Sequence, residues 1–255
     1  MLTLYSFGPA ANSLKPLLTL YEKQLPFTSR FLNPANFEHH EDWYKAINAN
    51  GQVPTLDHDG RIVTESTVIC EYLEDAFPDS PPLRPADPWL AAQMRVWTKW
   101  VDEYFCWCVS TIGWHRMVAK MVEHLSDEEF EAKVARIPLH EQQVKWRRAR
   151  NGFPQDLLDE EMRKIGHSIR KLETRLSESP WLAGDDYTLA DICNFAIANG
   201  MQFGFPEFVN QQATPKLLDW IARINARPAC ITMFEKQPSE WANRGKGEGK
   251  GDGGS

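Results

Sequence analysis

The sequence predicts an α/β domain over residues 1–80 followed by an all-helical domain over residues 89–240. Three observations carry this. Strand-like alternation and one strong hairpin signal occur only before Phe77. Pro78, Pro81, Pro82, Pro85 and Pro88 then punctuate a short stretch and mark a linker at 81–88. Beyond it the apolar spacing is helical throughout.

Within the first domain, residues 2–7 alternate as a strand, with Leu2, Leu4 and Ser6 on one side and Thr3, Tyr5 and Phe7 on the other. Gly8 to Ala11 reads as a loop, and a helix follows with Pro16 placed in its first turn. Phe27 to Leu32 is a second strand, which completes a βαβ unit. The loop-rich stretch 33–50 has helical character around Phe37 to Ile47. Two short β-prone runs then flank Asp59-Gly60, a pair suited to the positive φ values of a type I′ turn. From Thr67 the spacing turns helical, with Val68, Ile69, Tyr72, Leu73 and Ala76 on one face.

The second domain opens with a long helix from about Trp89 towards Leu125. Ser126-x-x-Glu129 and Thr188-x-x-Asp191 are capping boxes that start later helices. Between them, a helix around Trp146 stops at Asn151-Gly152, and Gln155 to Ser177 places Leu158, Met162, Ile165, Ile169, Leu172 and Leu176 on one face. Residues 214–226 and 228–236 supply the last helices. The final stretch, 241–255, is Gly-rich and charged and is expected to be flexible.

Composition excludes several classes. A net charge of −7 argues against nucleic acid as a partner. The basic group Lys145, Arg147, Arg148 and Arg150 reads as a solvated helix face paired with Asp156 or Glu160. No run approaches the roughly 20 apolar residues of a membrane helix, and no signal peptide is visible at the start. Five scattered cysteines read as reduced thiols of a cytoplasmic protein. Cys106 and Cys108 point to different helix faces, so neither a metal site nor a redox pair is expected.

The chemistry centres on residues 51–73. An X-Pro bond is held cis far more readily than any other, and a cis Val53-Pro54 would turn the Val53 amide and carbonyl outward to pair with an extended peptide. Glu65-Ser66 opens the helix after the hairpin. Its free amides attract a carboxylate, Ser66 adds a hydroxyl, and Glu65 holds an ammonium group. A peptide with an α-amino-acid head satisfies both ends. Glu-Ser alone is an ordinary helix start; Val-Pro, hairpin and Glu-Ser together are not.

That combination resembles the glutathione-binding half of the glutathione S-transferase superfamily. The resemblance spans nearly the whole chain. It is nearest to the bacterial glutathione-dependent β-etherases, through YSFGPAANSLKPLLTLYEK, WTKWVDEYFCWCVSTIGW and LADICNFAIANG. It implies a thioredoxin-like first domain, a helical glutathione-transferase second domain and a homodimer. Glutathione is the implied co-substrate and a lignin-derived aromatic ether the implied substrate, cleaved by thiolate displacement of a phenolate.

Each pK unit by which glutathione's thiol is lowered requires about 1.4 kcal/mol of preference for the anion. Ser13, Asn12 and Tyr5 compete to donate to it, and the Asn12-Ser13-Leu14 pattern favours Ser13. With no cysteine in residues 8–16, a disulfide mechanism is not expected. The resemblance assigns His39 or His40 to the glycine carboxylate and Gln52, Val53 and Pro54 to the peptide. On the long helix, Trp100, Tyr104, Trp107, Thr111 and Trp114 form one stripe and Trp97, Val101, Phe105, Cys108 and Ile112 another. One stripe is core and the other faces the glutathione sulfur or a subunit interface; Trp107 and Trp114 are the candidate contacts for the aromatic substrate.

Overall fold

The computed structural model describes residues 1–236, so the tail expected at 241–255 lies outside the described residues. The first part of the chain runs β1 (Leu2–Ser6), α1 (Ala11–Glu22), β2 (Phe27–Phe31), α2 (Asp42–Lys45), β3 (Thr55–His58), β4 (Arg61–Thr64) and α3 (Ser66–Ala76). The sheet order is β2-β1-β3-β4, with β1 and β2 parallel and the other two pairs antiparallel. Asp59 and Gly60 turn the β3–β4 hairpin with φ of 52° and 82°, as a type I′ turn requires. Leu2, Leu4 and Leu56 meet α1 and α3 in the core. On the opposite face the Tyr5 ring packs on Trp43 and Tyr44 of α2.

Helix α1 is buried on every side from Ser13 to Leu20. Burial of Leu14, Leu17, Leu18 and Leu20 contributes roughly 1.5–3 kcal/mol each. Pro16 stands deeper in this helix than the first turn expected for it. The helix tolerates it because the lost amide bond and the ring clash fall on Asn12, whose carbonyl is still at the helix start.

The helical part begins with α4 (Pro88–Trp100), one residue earlier than the spacing suggested. Asp87 caps it by accepting from the Leu90 amide at 2.9 Å, and Pro88 takes the position where a missing N–H does no harm. A π-helical turn at Val101–Phe105, α5 (Cys106–Gly113), a second π turn at Trp114–Val118 and α6 (Ala119–Val122) continue it. Then come α7 (Asp127–Val134), α8 (His140–Asn151), α9 (Gln155–Glu178), α10 (Leu189–Ala198), α11 (Met201–Gly204), α12 (Pro215–Asn225) and α13 (Pro228–Glu235). Both capping boxes form. The second does more than cap: Asp191 also accepts from the Leu182 amide and from the Trp220 indole at 2.9 Å.

Three ion pairs tie α1 to its surroundings. Lys23 reaches Glu74 of α3 at 2.6 Å and Arg227 reaches Glu22 at 2.5 Å. Lys15, wholly buried, pairs with Asp102 of the first π turn. Asp102→Ala should therefore lower stability by about 3 kcal/mol, the low end for a broken buried pair because Asp102 keeps 37% of its side-chain surface exposed. Adding Lys15→Met should recover much of that loss. Urea unfolding of the two variants checks both statements, and equal stability of the single variant and the parent contradicts them.

Candidate active site

The elements above converge on one polar cleft. It is lined by Asn12, Asn48, Asn50, Gln52, Val53, Pro54, Thr64, Glu65 and Ser66. The Val53-Pro54 bond is cis. Pairing of β3 starts only at Thr55, and among the described residues nothing hydrogen-bonds the Val53 amide or carbonyl. The loop before it is fixed from behind, where the Tyr44 hydroxyl and the Asn48 amide donate to the Gln52 carbonyl at 2.6 and 2.9 Å. Gly51 has φ of +59°, and a Cβ there would stand 2.7 Å from His40 Nδ1. Only glycine fits both constraints.

At the other end, Glu65 has φ of 67° and ψ of 116°, a conformation other residues rarely adopt. Its side chain does not cap α3, so the first amides of that helix stay open to an anion while its own carboxylate projects outward, exposed. Ser66 is buried at the same helix start. A carboxylate and an ammonium on one carbon atom suit this pair of groups.

Ser13 lies beneath the cleft wall rather than among its lining residues and is 3% exposed. Its hydroxyl accepts from the Phe7 amide at 3.2 Å, which leaves its own proton to donate. Asn12 faces the cleft, and its Oδ1 accepts from the Cys106 thiol at 3.6 Å. The third contender, Tyr5, is turned to the α2 side of the sheet by the alternation of β1.

His39 and His40 are not among the cleft-lining residues. Both are buried, with ring centroids 3.8 Å apart, and the Phe7 and Phe37 rings pack on them. Burial, with His40 alongside, pushes His39 down to about 3; burial, with Lys45 and Arg136 nearby, pushes His40 down to about 4. Both are therefore neutral imidazoles at neutral pH. Neither Nδ1 has a hydrogen-bond partner among the described residues.

The two stripes of the long helix separate in the structure. Trp97, Val101, Phe105, Cys108 and Ile112 are core. Trp107 is 58% exposed and Trp114 half-buried, with Trp146 behind it at 4.9 Å between centroids. The basic face of α8 differs from expectation. Arg147 pairs with Glu131 and Arg150 with Asp127, both on α7, because α8 packs there and not beside Asp156 or Glu160. Lys145 is not solvated with them. It turns inward and donates to Ser110 Oγ at 2.9 Å.

Asn48, Asn50 and Thr64 were missed from the sequence. The signal was present in Asn48-Ala49-Asn50-Gly51, a polar turn directly before Val-Pro. Lys145 had no such signal.

The chain is similar to known proteins in both sequence and fold. Residues 11–76 match the family model for the glutathione S-transferase N-terminal domain and residues 105–228 that for the C-terminal domain. The chain is 62% identical to Protein LigF of Sphingobium sp. (strain NBRC 103272 / SYK-6), over 94% of this chain and 95% of that protein. The crystal structure of beta-etherase LigF from strain SYK-6 superposes with a TM-score of 0.91 at 63% identity, covering 92% of this chain and 99% of that one. A glutathione S-transferase of Hyoscyamus muticus is 27% identical over 89% of this chain and 96% of its own. A sulfitobacter homologue crystallised with bound glutathione (TM-score 0.68, 22% identity, 92% and 98% coverage) shares the fold.

The buried histidines generate a pH prediction. Unfolded histidine titrates near ~6.5, so between that value and about 4 the unfolded chain binds more protons than the folded one. Stability is complete above pH 6.5 and falls as pH drops, by up to roughly 1.4 kcal/mol per unit for each histidine. Urea midpoints at pH 7 and pH 5 measure the slope, and His39→Gln should flatten it. An unchanged slope assigns the effect elsewhere.

Proposed function

The chain belongs to the glutathione S-transferase family, and we propose that it is a β-etherase, cleaving the β-aryl ether bond of lignin-derived α-keto dimers with glutathione. The observation that carries the reading is the shared cleft. Asn12 at the start of α1, the cis Val53-Pro54 and the Glu65-Ser66 helix start all open onto it. The likeness to a β-etherase over nearly the whole chain narrows the second substrate.

In this reading Glu65 takes the ammonium of the γ-glutamyl head, and Ser66 with the first amides of α3 takes its carboxylate. The Val53 amide and carbonyl pair with the peptide's central residue, while the Gln52 side chain contacts the glycine end. His39 and His40 serve that end only as neutral N–H donors or by backing the Gly51 turn. Ser13 donates its hydroxyl proton to the thiolate, and Asn12 assists from the cleft wall. The thiolate displaces a phenolate from the carbon next to the ketone, with the substrate rings against Trp107 and Trp114.

A homodimer accompanies this reading. Ile62 on β4, Val68 on α3, and Trp89 and Val96 on α4 are exposed apolar side chains, a composition suited to a twofold interface. The protein should run at twice its 29.3 kDa chain mass in light scattering at micromolar concentration; a monomer contradicts this. No helix of the described residues is long and apolar enough to cross a membrane. The free cysteines fit the reducing environment of a cytoplasm.

The deciding assay incubates the protein with glutathione and each enantiomer of a β-aryl ether ketone, and follows free phenol and the thioether. Ser13→Ala should slow turnover about 10- to 150-fold, from loss of a hydrogen bond to a charged group worth roughly 1.5–3 kcal/mol. Glu65→Ala should chiefly raise the glutathione KM, since its contact is the same in ground and transition states. Titration of thiolate absorbance in the glutathione complex checks the first substitution. A Ser13→Ala titration identical to the parent leaves Ser13 as a helix-start residue only.

A further inference from the structure

Lys145 is the one member of the α8 basic group that turns away from solvent without a carboxylate. Arg147 and Arg150 are each matched by an acid on α7, and Arg148 is exposed. Among the described residues no acidic side chain pairs with Lys145. Its ammonium donates to Ser110 Oγ at 2.9 Å and lies 4.7 Å from the Trp114 ring centroid and 5.6 Å from that of Trp107. Ser110 stands one helical turn beyond Cys106, whose thiol touches Asn12 at the cleft. The ammonium therefore sits beside the exposed aromatic stripe, one turn along α5 from the wall of the glutathione cleft.

The titratable groups around it are few. Cys106 on α5 is held up by burial and is a neutral thiol at physiological pH. Beyond it Lys15 and Asp102 neutralise each other. His115 on the second π turn packs its ring against Phe153. With so little opposing charge, burial draws Lys145 down to about 8. It stays mostly protonated at neutral pH and gives up its proton more readily than an exposed lysine.

We propose that Lys145 is the acid that protonates the departing phenolate. The proposal deepens the β-etherase reading and rests on it. The glutathione sulfur contributes the electron pair of the new S–Cβ bond, and the pair of the Cβ–O bond passes to the aryl oxygen. That oxygen takes a proton from Lys145 Nζ and leaves as a phenol. The neutral amine recovers its proton, through solvent, from the thiol of the next glutathione. The sum is thiol plus aryl ether giving thioether plus phenol. A phenol titrates near ~10, so transfer from this ammonium runs downhill. Trp107 and Trp114, whose rings flank the ammonium, would hold the aryl ring whose oxygen is being released.

The test varies the leaving group. Parent, Lys145→Met and Lys145→Arg are compared on α-keto β-aryl ethers whose phenols range from nitrophenol to methoxyphenol, and on the matching β-bromide. Lys145→Met should lose about 100- to 1,000-fold in kcat on the methoxyphenyl ether. The loss should shrink to a few-fold on the nitrophenyl ether and the bromide, which need no proton. The parent's kcat should fall as pH rises through about 8, and this alkaline limb should be absent in Lys145→Met. Lys145→Arg keeps the charge but cannot release a proton, so it should remain impaired on the methoxyphenyl ether. A loss of equal size on every substrate would mark a structural role and overturn the proposal, as would full activity of Lys145→Arg on the poor leaving group. A parent enzyme that consumes the bromide but no aryl ether would instead overturn the β-etherase reading itself.

Discussion

The pairing of Lys15 with Asp102 governs how the two parts of this chain meet. An ammonium with no exposed surface requires a partner, and the partner is on the long helix of the other half. Asn12 stands one turn before Lys15 on α1, and Cys106 one turn after Asp102 on the long helix. The thiol-to-amide contact between Asn12 and Cys106 is thus a second rung of the same antiparallel ladder. In the proposed reading Asn12 and Ser13 belong to the glutathione side and Trp107 and Ser110 to the aromatic side, and these two rungs set the spacing between them. The flanking pairs Lys23–Glu74 and Arg227–Glu22 hold the far end of α1 against rocking.

A π turn adds a residue to the helical turn and so rotates everything after it about the helix axis. The first contains Asp102; the second begins at Trp114. Between them α5 sends Cys108 and Ile112 into the core and leaves Trp107 outward, beside Lys145. One short helix therefore separates a packed face from an open aromatic one, and α8 closes over the open side to deliver an ammonium.

In the proposed reading, charge and burial divide the site into two chemical regions. At the glutathione end the cleft is polar and partly open, with Glu65 exposed and the α3 amides free, which suits recognition of a zwitterionic head. At the aromatic end the cation is screened by indole rings and answered by a hydroxyl and not by an acid, which suits a developing anion. His39 and His40 are neutral, packed against phenylalanine rings and set close behind the Gly51 turn.

The sequence by itself determined what depends on neighbours along the chain. Alternation in β1, the Asp59-Gly60 turn, the two capping boxes and the apolar face of α9 are local rules, and each appears where the residues put it. The Val-Pro, hairpin and Glu-Ser series was legible for the same reason, since its parts lie within one short stretch. Only the tertiary structure decided which stripe of the long helix was core, which carboxylates the α8 basic residues would meet, and that the adjacent histidines were buried. It also decided that Asn12 lines the cleft with Ser13 buried behind it, while Tyr5 packs on α2. Those outcomes depend on which helix packs against which. A lysine reads as solvated on any helix until the element beside it proves to carry indoles and a serine instead of acids.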